Sequence, residues 1–270
     1  MKLQQTILLT IFLFSISFCF SQTYSLSDFE KCEIPKPDSK EWYDFNHASS
    51  KEFIFTLNSG KIQITKYKYI PHKEFNIPDG KLISVNMGEF GGGLYYKPKD
   101  TTKTVFINGK NSNNIKPRWF GSLDVPKSNP ITNILKGAKL IQSGNIEFVF
   151  RFNDSIRLLG GLAHMTLNSG SLQTLSYNNN SFIISKASSL KDAPSAMYVF
   201  KNNIYLAGNK GFYIIDKNLK IKTIFDDLFW YGLYPTSVLV IDRQTVYITI
   251  RGGYVKINPE NKKLILYKAK

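Results

Sequence analysis

The stretch DDLFWYGLYP, Asp226 to Pro235, sets an acidic pair beside four aromatic residues. Flat apolar rings with polar edges suit sugar rings or a partner protein, and Trp230, Tyr231 and Tyr234 are the candidate contacts here. A similar group, RWFG, brings Arg118 and Trp119. His164 and Arg251 lie next to glycine turns and are weaker candidates for the same role. The alternative for these large aromatics is packing between sheets, which removes them from any surface.

Catalysis finds less support. Hydrolysis by an acid and a base carboxylate needs two such groups in one cleft. Glu89, Asp154, Asp226 and Asp227 are available, and no spacing joins them. The chain has neither Ser-x-Asp-x-Gly-x-x-Trp boxes nor a Gly-x-Ser-x-Gly elbow. The glycine-rich run Gly88 to Leu94 lacks the G-x-G-x-x-G pattern and a following Lys-Ser/Thr, so it reads as a bend between strands. His47, His72 and His164 are not at metal-ligand spacing, and Cys32 has no Cys-x-x-Cys partner. No metal and no cofactor are expected. The expectation is a protein that binds rather than catalyses, with a hydrolase or lyase acting on an anionic polysaccharide as the alternative.

The elements that would position these residues come from a repeat. At an offset of 42, Ile204 falls on Val246, Tyr205 on Tyr247, Gly211 on Gly253 and Asp216 on Asn258. In each copy an apolar run follows a proline, and three further runs follow across polar or glycine turns. Short runs rich in β-branched and aromatic residues, bounded by Gly, Asn and Asp, predict a meander of strands. Weaker copies are NIEFVF with SIRLLGGLAHMTLN and SLQTLSY, and KIQITKYKY with KLISVNMG, GGGLYYKPK and KTVFING. The spacing predicts an all-β protein, a β-propeller of four to six four-stranded blades with five favoured. A β-sandwich or an irregular β-solenoid is the competing architecture. No amphipathic helix is expected after the N-terminal leader.

The pattern Pro-Ser-x-apolar strand, Asp/Asn turn, [IV]-Tyr, then Gly-aromatic-x-x-[IV]-[DN] resembles the repeat of bacterial sensor-type and NHL-like propellers. The resemblance covers Pro194 to Lys270 and implies blade architecture. Such propellers serve as sensor domains, scaffolds and occasionally enzymes, so it implies no single activity. In a propeller the loops entering the innermost strands converge at the axis, which places the Asp226–Pro235 loop at the channel mouth.

Residues 1–21 read as a signal peptide: Lys2, an apolar run from Ile7 to Phe20, and a small residue at Ser21 before Gln22. The apolar run is shorter than the ~20 residues of a spanning helix. Residues 22–50 then form an N-terminal extension and 51–270 the propeller domain. An exported chain, periplasmic or secreted, is expected, without a transmembrane segment once the leader is removed. Cys32 would be its only thiol, so stability must come from an apolar core rather than a disulfide. The net charge of +15 favours anionic surfaces in general. Its lysines are dispersed and no nucleic-acid module is present, so nucleic acid is not expected as a partner. The expected partner is a glycan, an envelope component or another protein.

Overall fold

The computed structural model describes residues 24–111 and 130–270. It is all-β, with several antiparallel sheets, none of which closes on itself. Along the chain come β1 (Phe29–Cys32), β2 (Phe53–Asn58), β3 (Lys61–Lys66), β4 (His72–Ile77), β5 (Gly80–Asn86) and β6 (Gly92–Pro98). Next are β7 (Phe106–Ile107), β8 (Lys110–Asn111), β9 (Lys139–Ser143), β10 (Ile146–Phe152), β11 (Ser155–His164), β12 (Leu167–Asn178) and β13 (Ser181–Leu190). The repeat region supplies β14 (Pro194–Phe200), β15 (Asn203–Gly208), β16 (Phe212–Ile215), β17 (Ile221–Phe225), β18 (Ser237–Val240), β19 (Val246–Ile250), β20 (Gly253–Asn258) and β21 (Lys263–Ala269).

The repeat maps onto two like sheets. One runs β14-β15-β16-β17, and the other runs β18-β19-β20-β21 with β1 added outside β21. Local chemistry sets the turns. Asp216 Oδ1 accepts from the amides of Asn218 and Lys220, and the equivalent Asn258 Oδ1 accepts from those of Glu260 and Asn261. These are Asx turns, which explains why the repeat keeps Asp or Asn there. Between β12 and β13, Asn179 and Asn180 take φ of 45° and 61°, the left-handed pair that a two-residue type I′ hairpin requires.

The weaker upstream copies depart from the expected grouping. β2 and β3 form a two-stranded sheet of their own, so KIQITK does not belong with KLISVN and GGLYYKP. Those two runs are β5 and β6, in a sheet ordered β4-β5-β6-β9. The TVFING run supplies β7, which pairs in parallel with β13 at the edge of the β10–β13 sheet. Helix is present too. α1 (Lys40–Asn46) is capped by Ser39, whose Oγ accepts from the Trp42 amide at 3.2 Å, and it buries Trp42 and Phe45. That i, i+3 apolar pair is too short a signal to stand out in sequence. A second short helix, α2 (Pro130–Ile134), buries Ile131 against Ile83, Val85, Tyr95 and Leu140.

Four apolar layers bind the sheets in an arc. Phe53, Phe55 and Ile64 of β2–β3 meet Leu239, Tyr247 and Tyr254. The other face of β18–β21, with Val246, Ile248 and Val255, meets Ala207, Phe212 and Ile224. Ile204, Leu206 and Tyr213 then meet Leu159 and Leu172, and Leu158 and Phe182 meet Leu82, Leu94 and Tyr96. A strand packed on both faces should be apolar throughout rather than alternating, and β19 is buried at every position. Each such Leu, Ile or Val contributes about 1.5–3 kcal/mol on leaving water. Along one edge of the arc the leading strands approach one another, β2 to β18, β18 to β14, β14 to β10, and β10 to β4 and β5. Among the described residues no helix is long and apolar enough to cross a membrane.

Candidate functional site

Where the leading strands begin, residues in or flanking the strands of the five described sheets surround a cavity of about 390 Å³. Glu52 precedes β2, Tyr67 and Tyr69 precede β4, Glu147 is second in β10, Pro194 and Ser195 begin β14, and Tyr234 and Pro235 precede β18. The size lies in the range of small-molecule sites.

Two carboxylates face this space, and each is held by a cation. Arg251 Nε lies 2.7 Å from Glu52 Oε1, and its Nη1 donates to the Asn46 carbonyl at 3.0 Å. Lys73 Nζ lies 2.5 Å from Glu147 Oε1, and Asn86 Nδ2 donates to Glu147 Oε2. Both carboxylates are mostly buried, so leaving either unpaired would be costly. Tyr67 senses both. Burial first, then the charges of Glu147 and Glu52, push its phenol up to about 12. The Tyr69 phenol is also raised, by burial and then by Glu147, and its hydroxyl donates to the Asn86 carbonyl at 2.7 Å. At neutral pH both phenols therefore keep their protons.

Tyr234 has backbone strain. Its φ of 49° puts a bulky residue in the left-handed region, immediately before a proline. Such outliers cost on the order of 1–3 kcal/mol and concentrate at functional sites. The turn leaves the ring 55 % exposed, with the Arg251 guanidinium 4.6 Å from its centroid. A half-exposed aromatic face, a fixed guanidinium and two carboxylates offer stacking, donors and acceptors in one space.

The residues singled out from sequence separate here. Tyr234 and Arg251 line the cavity together. His164 is not among the cavity-lining residues; it ends β11 with Nε2 3.0 Å from Glu89 Oε2. Tyr231 is exposed on the same loop, with Lys210 Nζ 4.8 Å from its ring centroid, but it is not among the cavity-lining residues. Trp230 is corrected. It is fully buried among Phe229, Leu233, Val238 and the α1 side chains Trp42 and Phe45, and no ligand can reach it. The loop folds inward because α1 anchors it: Trp42 Nε1 donates to the Phe229 carbonyl at 2.7 Å, and Asn46 Nδ2 donates to the Gly232 carbonyl. Arg118 and Trp119 lie outside the described residues.

Sequence reasoning passed over Glu52, Glu147, Tyr67, Tyr69 and Asn86. Their signal was positional. Glu52 stands just before β2 and Glu147 is second in β10, close to where Pro194 and Pro235 stand relative to β14 and β18 in the clear repeats. Among the described residues, no group of three or more His, Cys, Asp or Glu could hold a metal ion. No protein-family model matches the chain, and a comparison with curated proteins returns no match.

Proposed function

We propose that the arc of sheets is a five-bladed β-propeller whose first blade is reduced to β2 and β3, and that the exported chain binds a glycan at the mouth of its channel. The carrying observation is the cavity in which Glu52, Tyr67, Asn86, Glu147, Tyr234 and Arg251 converge from in and beside four of the sheets. Sugar hydroxyls both donate and accept. The two carboxylates supply acceptors, Tyr67 and Arg251 supply donors, and the Tyr234 ring supplies an apolar face. The apolar runs of the sequence, the meandering sheets and the converging leading strands all support the propeller reading. Export rests on the leader-like first 21 residues.

The test is a glycan and envelope-extract binding screen on wild type, Tyr234→Ala and Tyr67→Phe. Loss of an anchoring ring is expected to weaken binding by roughly thirtyfold, about 2 kcal/mol, while the melting temperature moves little. Identical binding by wild type and both variants would remove the ligand from this cavity.

A second reading, a hydrolase or lyase, draws on the same convergence of two carboxylates with tyrosine and arginine. It ranks second because Glu52 and Glu147 are each committed to a cation and Tyr67 is pushed away from the range of a proton acceptor. Release of new reducing ends or unsaturated sugars from anionic polysaccharides, lost in Glu147→Gln, would reverse the ranking.

A further inference from the structure

A second cavity, of about 380 Å³, adjoins the first and shares Gly88, Asn145, Gly161 and Leu162 with it. Its floor is the β11–β12 hairpin, which contributes Leu162 and otherwise only glycine and serine. The backbones there are too close for side chains. A Cβ on Gly161 would lie 2.4 Å from the Ser169 carbonyl oxygen, and one on Gly170 would lie 2.5 Å from that of Asp192. Glu89 lines the same cavity, and its 3.0 Å contact with His164 Nε2 ties the hairpin to the β5–β6 turn. The charged residues lining the two cavities are Glu52, Glu89, Glu147 and Arg251, and with Lys73, which pairs with Glu147, the balance is three acids to two bases. This balance is opposite to the +15 of the whole chain.

We propose that the two cavities form one trough and that its ligand is a linear, uncharged oligosaccharide rather than a single sugar or an anionic polymer; this rests on the glycan reading of the first cavity. One sugar fills the space beside Tyr67 and Tyr234. The chain continues over the glycine–serine floor, where bare backbone and the Ser169 and Ser171 hydroxyls meet its edges. A polyanion entering the trough would find no free countercharge among the described lining residues, because Arg251 already pairs with Glu52 and Lys73 with Glu147, whereas hydroxyl donors of a neutral chain can still be accepted by the carboxylate oxygens.

The experiment is calorimetric titration of the whole mature protein with N-acetylglucosamine and its oligomers, a matching glucose series, and oligogalacturonate as the anionic comparison. Affinity in a neutral series is expected to rise at least about tenfold from one unit to about three, the equivalent of one or two added hydrogen bonds. Ser169 is exposed, so Ser169→Trp should fill the floor without unfolding the chain. It is expected to abolish the gain with length while leaving binding of the single sugar intact, and Ser169→Leu should give a smaller loss. Binding independent of length, a gain that survives Ser169→Trp, or tighter binding of oligogalacturonate would overturn the trough while leaving the first cavity a glycan site. Absence of binding to all three probes would overturn both.

Discussion

Asp192, on the link between β13 and β14, is only 2 % exposed. Its Oδ2 accepts from the amides of Lys210 and Gly211, each at 2.7 Å, and from the Tyr213 hydroxyl. Burial pushes this carboxyl above its usual 3.8, and the amide bonds only partly oppose the rise. A group raised in the folded state contributes fully below its unfolded value and loses that contribution as pH climbs through the folded one. Urea titrations from about pH 4 upward should therefore show wild type losing stability relative to Asp192→Asn as pH rises. A pH-independent difference would mean that the carboxyl titrates normally. Trp230→Ala opens a cavity in the largest core and should cost about 3–5 kcal/mol, whereas Tyr234→Ala should cost under about 1 kcal/mol because its ring is half outside. Both aromatics belonged to one conspicuous loop in the sequence. Which one points inward was illegible, because it depends on Trp42 and Asn46, more than 180 positions away. Glu52 and Glu147 escaped notice for a like reason, since no local spacing relates residues 95 positions apart.

Within elements, legibility followed locality. The two clear repeats show as four-stranded meanders because hairpins are specified by neighbouring residues: apolar runs and Asx turns at Asp216 and Asn258. The regions where strands pair over distance, β7 with β13 and β6 with β9, were misgrouped. Their partners are chosen by packing rather than by a turn. The helix α1 was invisible at seven residues, yet it holds the Asp226–Pro235 loop in place. Ser39→Ala removes its cap and is expected to cost about 1 kcal/mol, read as a lower denaturant midpoint with an unchanged slope. Phe29 of β1 stacks edge-on against Phe53 and Tyr254, each at 5.1 Å between centroids, so it joins the first described sheet to the last. Phe29→Ala should cost about 3–5 kcal/mol, far more than substitution of the exposed Glu30 beside it.

The molecule as a whole is basic, while acids outnumber bases among the charged residues that line the two cavities. Net charge therefore says little about what enters the trough. Binding of a neutral oligosaccharide should change less than about twofold between low and high salt, where a polyanion bound to the outer lysines would lose orders of magnitude. The all-β class was readable from the runs and turns. The number and order of sheets was readable only where the repeat is strong, because elsewhere a two-stranded sheet and a borrowed edge strand break the period. The β1–β21 pairing has a kinetic consequence. Cys32 and Leu266 meet across 234 positions, whereas most hairpins close over a few residues. Closing so long a loop carries a large entropic cost, so the local meanders can form early and this seam can close only after them. Weakening the seam should then leave the refolding rate nearly untouched and speed unfolding, making it the point from which the arc comes apart.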